Sequence, residues 1–192
     1  MKKDDIQRAF NRIRRKDRAK DDAWIRAFLR RAAFGSLATV RDGQPFIVAR
    51  NFAYDEAAHV IYLHGAVKGR THENVQADER ACFAVSEMGR LLPAERAMNF
   101  GVEYAGVVVF GRTAIVTESA EARHGLQLLL DKYFPHLRPG EDYAPATDED
   151  LKVTAVYRIE IESWSGKEKK VEGDLPGALL PAPGAGFLDQ SP

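Results

Sequence analysis

What constrains this chain most is a succession of short β-rich runs, set apart by turn signals, with helical pattern intervening at only a few places. Gly35 to Val40 is a brief apolar run, Arg41-Asp42-Gly43-Gln44 carries the Asp-Gly turn signal, and Pro45 to Tyr54 resumes as strand. That order predicts a hairpin. Asp55 to His59 is a polar turn before a third strand, Val60 to His64, and Ala81 to Val85 forms a fourth. Tyr104 to Thr117 is a long β-rich run, with Gly106 and Gly111 where bends or bulges fall. Ala155 to Ile161 alternates Tyr157, Ile159 and Ile161 with Arg158, Glu160 and Glu162, the pattern of a half-exposed strand.

Helical signals are fewer. Trp24, Ile25, Phe28 and Leu29 recur at helical spacing within Asp22 to Arg31, and Thr71 to Ala77 reads as a short helix. Ser119 to Tyr133 is the clearest one, with Ser119 as cap, Glu121 in its first turn and Leu126, Leu129 and Leu130 as inner stripe. Thr147 opens another short helix, with Asp150 at the capping-box position. Six strands, no βαβ alternation and no internal repeat predict a mainly β protein, a six-stranded antiparallel barrel with helices at its rim. Neither G-x-G-x-x-G nor G-x-x-x-x-G-K-[ST] occurs, which excludes Rossmann and P-loop readings.

A chain of 192 residues with 45% hydrophobic content is expected to hold one cored domain with flexible ends. The boundaries read as a basic arm over 1–21, a domain over 22–170 and a Gly/Pro-rich tail over 171–192. Formal charge is zero, with 28 Lys and Arg against 28 Asp and Glu, which argues against a globally electrostatic nucleic-acid binder. Residues 1 to 31 nevertheless hold a net +7, and residues 2 to 20 read as a solvated helix or frayed extension. One cysteine, Cys82, rules out an internal disulfide and fits a reducing compartment. The start M-K-K-D-D-I-Q-R lacks a signal-peptide core and no run of about 18 apolar residues occurs, so a cytoplasmic protein without a membrane span is expected.

The segment Val60 to Val75, V-I-Y-L-H-G-A-V-K-G-R-T-H-E-N-V, carries the chemistry. An apolar strand ends in His64, followed by a small-residue turn, a Lys-Gly-Arg triplet and a helical segment. Such a unit gathers backbone N–H groups, a helix N-terminus and two cations, which suits a phosphate. Lys68 and Arg70 read equally well, from the residues alone, as a surface helix start with salt bridges.

The order of hairpin, L-H-G-A-V-K-G-R, A-C-F-A-V-S-E, E-Y-A-G-V-V-V-F-G-R-T-A and W-S-G-K resembles the pyridoxamine 5′-phosphate oxidase-like flavin-binding split barrels. Within them it is most similar to the Nim-type, 5-nitroimidazole resistance branch. The resemblance covers roughly residues 22 to 170. It implies a six-stranded split β-barrel forming a homodimer, with one flavin mononucleotide (FMN) in each of two sites at the subunit interface. Lys68, Gly69, Arg70 and Thr71 match the loop that grips the flavin phosphate, Arg as a bidentate fork and Lys as a point charge. Arg50 and Asn51 match flavin-contacting positions, although Arg50 also reads as an outward strand residue. His64, with Gly65 after it, matches the branch histidine beside the flavin ring, where imidazole would hydrogen-bond flavin or substrate or donate a proton; it is the catalytic candidate.

Trp164 and Lys167, in W-S-G-K at the close of the last strand, are expected beside the cofactor; a core or interface aromatic is the competing reading of Trp164. Ser86, following the fourth strand, is expected to approach the cofactor from the other subunit. Cys82 reads as a buried inert thiol, His72 as a surface residue, and His59, His124 and His136 are assigned nothing. No residue is assigned to a metal. Instead of the Arg-x-Leu-x-Pro type of ending that binds the vitamin substrate's phosphate, the chain has W-S-G-K-E-K-K, so vitamin B6 oxidation is not expected. The expected activity is FMN-dependent reduction of a small electrophile such as a nitroaromatic. The alternatives are a non-catalytic flavin, deazaflavin or haem protein of the same barrel, and a weaker nucleic-acid reading for the basic arm.

Overall fold

The computed structural model describes residues 11–180, so Ile6, Phe10 and the end of the tail lie outside the described residues. The six long strands are β2 (Gly35–Arg41), β3 (Gln44–Arg50), β5 (Val60–Ala66), β6 (Arg80–Leu92), β7 (Gly101–Ile115) and β8 (Thr154–Lys169). Two short ones complete the sheet, β1 (Ala19–Lys20) and β4 (Ala53–Asp55). The helices are α1 (Asp22–Arg31), α2 (Arg70–Ala77), α3 (Ser119–Tyr133) and α4 (Asp148–Val153). The order around the sheet is β3-β2-β6-β7-β8-β5-β4, with β1 added to β8, and every pairing is antiparallel. Among the described residues no helix is long and apolar enough to cross a membrane.

Alternation along the strands builds the interior. Leu37, Phe83, Val85, Val107, Val109, Ile61, Leu63, Tyr157 and Ile159 point into one core, and Ile25, Phe28 and Leu29 of α1 close it. Val60, Tyr62 and Val156 point the other way, under Ala122 and Leu126 of α3. Strand β5 is therefore covered on both faces, which is why Val60 to Leu63 reads as a continuous apolar run.

Several boundaries differ from the sequence expectation. The second strand breaks at Asn51-Phe52, where the chain crosses from β3 to β4. Tyr133 staples this crossing: its hydroxyl accepts from the Phe52 N–H at 3.0 Å and donates to the Ala33 carbonyl at 2.6 Å. Strand β6 runs past Val85 to Leu92, so Ser86 sits inside it, and β8 runs to Lys169, so Trp164 lies mid-strand. Gly111 is a bulge, with a register shift at Phe110/Gly111, but Gly106 stays in the regular ladder. Helix α3 is not capped by Ser119: Glu118 holds the N-cap without a side-chain bond and Ser119 is already helical. Its buried line is Ala122, Gly125 and Leu129, with Leu130 only half-buried, because Gly125 lets the helix approach Tyr62 closely. The capping box at Thr147 and Asp150 is present. Instead of a solvated helix, residues 16–20 form a 3-10 turn and β1, held by ladder pairing to β8 and a 2.5 Å Lys20–Glu168 ion pair.

Candidate functional site

Where β5 gives way to α2, the chain turns at Gly69 with φ of 106°, a left-handed value that side chains disfavour. No side chain caps the helix that follows, so its first N–H groups face outward beside Lys68 and Arg70. Both cations are exposed, and neither forms an ion pair among the described residues. Arg70 rests its guanidinium 5.2 Å from the centre of the Phe46 ring. An open depression of about 260 Å³ lies alongside, lined by Arg41, Asp42, Gln44, Arg70, Glu73 and Asn74.

The inner wall of the site is polar in one spot. Arg50 ends β3 on its inward face and donates to the Thr71 hydroxyl at 3.1 Å, while Thr71 itself is buried. The Arg50 guanidinium also crosses the backbone at Gly65, where a Cβ would stand 3.3 Å from the Tyr157 ring and 3.6 Å from the guanidinium nitrogens. His64 pairs with Val156 and so stands on the opposite face of β5, with Val60 and Tyr62; it is half-buried, and its Nδ1 is buried with no hydrogen-bond partner among the described residues. Burial, and secondarily the Arg50 charge, hold its pKa below the ordinary histidine value. It is therefore a neutral imidazole at pH 7.

Tyr157 and His72 join this group, although the sequence reading gave them no part in it. The Tyr157 hydroxyl donates to the Ala66 carbonyl at 3.2 Å and lies 3.3 Å from His72 Nδ1, so His72 is more than a surface residue. Tyr157 read as core because it stands on the apolar side of its strand. The signal available was that a phenol buried at a strand's polar end needs a partner. Asn51 is half-buried at the crossing and makes no side-chain hydrogen bond among the described residues.

Ser86, Trp164 and Lys167 form no part of this cluster within one chain. Lys167 stands eleven positions along β8 from Val156, the partner of His64, roughly 36 Å of strand. Trp164 turns to the core side, donating to Asp22 at 2.8 Å, stacking edge-on with His59 and lying under Arg26. Lys167 and Ser86 share the opposite, outer face. That face continues as an apolar row of Ile47, Ala38, Cys82 and Phe110, with Ile47 67% exposed. Cys82 is half-buried, and burial pushes its thiol up. Among the described residues no group of three or more His, Cys, Asp or Glu is placed to hold a metal.

A family model described as pyridoxamine 5′-phosphate oxidase matches residues 21–168. This chain belongs to that family. The antiparallel sheet and flanking helices are the family's flavin-binding split barrel, its six long strands supplemented by β1 and β4. A flavocytochrome from Azotobacter vinelandii is 22% identical, with 94% of this chain and 91% of that one covered and a TM-score of 0.71. An FAD and haem binding protein from Mycobacterium smegmatis is 18% identical, with coverages of 90% and 92% and a TM-score of 0.69. A candidate 5-nitroimidazole antibiotic resistance protein from Bacteroides thetaiotaomicron is 19% identical, with coverages of 78% and 84% and a TM-score of 0.64. At such identities the likeness is one of fold. The chain matches no curated protein.

Proposed function

We propose that this protein is an FMN-dependent oxidoreductase that reduces a small electrophile, such as a nitroimidazole or other nitroaromatic. The observation that carries this reading is an uncapped helix start flanked by two cations, Lys68 and Arg70, that form no ion pair among the described residues, beside the inward Arg50. These residues fit a flavin phosphate: backbone N–H groups, one fork-shaped cation and one point charge converge from one direction. Gly69 supplies the conformation that turns those groups outward, and Arg50 holds Thr71 at the loop's inner edge. Flavin, when bound, supplies hydride acceptance and electron delivery. His64, neutral and desolvated, would orient the ring or the substrate by hydrogen bonding; it would serve as proton donor only after taking up a proton itself.

The outer sheet face supports assembly as a homodimer. Ile47, Ala38 and Cys82 form an apolar row in register across three strands, the kind of surface a second copy covers. In that arrangement Ser86 and Lys167 would reach the cofactor from the second subunit, whereas Trp164 stays on the core side of its own chain. The ending W-S-G-K-E-K-K lacks the basic signature that would hold a vitamin B6 phosphate, so the family's eponymous reaction is not proposed.

Visible absorption of the purified protein, followed by FMN titration, tests the reading. Replacing Arg70 by Ala should weaken FMN binding about tenfold, the low end for a charge-assisted contact because Arg70 is exposed. Unchanged affinity would remove Arg70 from the site. A second reading, a flavin or haem carrier without turnover, takes support from the flavocytochrome likeness and from the free His64 nitrogen. A Soret band that shifts in a His64→Ala variant would favour it.

A further inference from the structure

On the outer face, Ser86, Gly106 and Lys167 stand in one row across β6, β7 and β8. Gly106 contributes no side chain, so the side-chain layer of this row dips to a notch between Ser86 and Lys167, although its floor at Gly106 is close to the Val85 carbonyl oxygen. Tyr104, two residues earlier on β7, rises beside that notch on the same face. Its hydroxyl accepts a hydrogen bond from Arg18 at 3.1 Å, and the Lys167 ammonium sits 5.4 Å from its ring centre. Arg18 arrives there because β1 pairs with β8, with Ala19 opposite Lys167.

The charges in this corner do not balance. Lys20 is matched by Glu168, but Lys167 makes no ion pair among the described residues. The acid nearest Arg18 is Asp17 at 3.9 Å, and Arg15 already holds that carboxylate with two bonds of 2.8 and 2.7 Å. The Arg18 side chain keeps only 24% of its surface exposed. Burial alone would raise the Tyr104 hydroxyl, yet hydrogen bonds from Arg18 and Lys167 and their charges hold it below the ordinary tyrosine value. Two partly buried cations thus converge on one phenol beside the gap that Gly106 leaves in the row, and a bound anion would offset their lost hydration.

We propose that the notch over Gly106 is an oxyanion site, in which Lys167, Arg18 and the Ser86 and Tyr104 hydroxyls bind the carboxylate or phosphate of a small molecule. The site is built by one chain, on the face opposite the inward Arg50. If the flavin reading holds, that face meets the second subunit, and the anion is the acidic group of a molecule that exchanges electrons with the flavin there.

The test uses the full-length protein saturated with FMN, so that the Lys68–Arg70 loop is already filled, and tyrosine labelled with 13C at Cζ. The Tyr104 resonance, assigned by its loss in Tyr104→Phe, is followed while inorganic phosphate or acetate is added. A saturable shift is expected, with the half-saturation concentration raised about tenfold in Lys167→Met and Arg18→Gln. Whichever anion saturates first identifies the source as phosphate or carboxylate. No response to either anion, or an undiminished response in Lys167→Met, overturns the site and leaves an adventitious ion only. A response seen without FMN and abolished by it also overturns the proposal, because the notch would then belong to the cofactor. Protein that takes up no FMN but shows the Lys167-dependent shift keeps this inference and ends the flavin reading.

Discussion

Gly125 sets two effects against each other, and the structure decides between them. Glycine inside a helix is about 1 kcal/mol worse than alanine, so Gly125→Ala would stabilise α3 in isolation. In the folded protein the added Cβ would lie 2.8 Å from Tyr62 Cδ1, 3.0 Å from Tyr62 Cγ and 3.2 Å from Val156 Cγ1. Carbon atoms in good contact are roughly 3.5–4.0 Å apart. Cγ lies on the axis about which the ring flips, so turning the Tyr62 ring in place does not clear it. The far end of the ring is tied by a 3.1 Å hydrogen bond to Glu121, a carboxylate also held by Arg158 at 3.1 Å. The helix must therefore draw back, and overpacking of this kind costs roughly 1–3 kcal/mol. Set against the propensity gain, Gly125→Ala is expected to lose about 1 kcal/mol, or about 2–4 °C of Tm for a chain of this size. Thermal unfolding followed by circular dichroism measures it. A variant as stable as the parent, or more so, would refute the claim that α3 is seated against β5 through this glycine.

Three further outcomes follow from the same structure. Because burial lowers the His64 pKa, the unfolded chain takes up that proton first; the stability owed to neutral His64 is full above about pH 6.5 and is lost as pH falls through that value. His64→Gln should shrink the drop in urea midpoint between pH 7 and pH 5, leaving the contribution of His59, whose pKa burial also lowers; equal drops would contradict this. Cys82 should react with a disulfide reagent at pH 8 at least about tenfold more slowly in native protein than in urea, and rapid native labelling would show its strand is open. Asp21 caps α1 by accepting from Trp24 N–H at 2.8 Å, so Asp21→Ala should cost about 1 kcal/mol, read as a lowered Tm. An unchanged Tm would mean that α1 does not depend on its cap.

Much of the barrel was legible because its strands alternate and its turns carry Asp-Gly or polar signals. The errors fall at strand ends. Past Val85, β6 continues through Ser-Glu-Met-Gly-Arg, held by pairing with β7 and without an apolar face to announce it. Past Ile161, β8 continues through Ser-Trp-Ser-Gly-Lys for the same reason. Strand β1 consists of Ala19 and Lys20, which carry no strand signal at all; the partner ladder makes it. The phosphate-like loop was readable because a strand, a glycine and two cations are consecutive. What lay hidden depends on closure of the sheet: Arg50 reaching Thr71, Tyr157 meeting His72, and Arg18 meeting Tyr104 across 86 positions. Local pattern cannot report contacts that only the closed barrel creates.

The Tyr133 staple has a consequence for the birth of the chain. The crossing at Phe52 and the strand entry at Ala33 are fastened by a residue 81 and 100 positions downstream. At roughly 5–20 residues per second of synthesis, 81 positions correspond to about four to sixteen seconds during which β3 and β4 have emerged and their seam cannot yet be fastened. The β3 edge, which ends the sheet in the finished fold as well, is a free template for pairing throughout that interval, and Pro45 at its start and Arg50 at its end are the features that discourage a wrong partner.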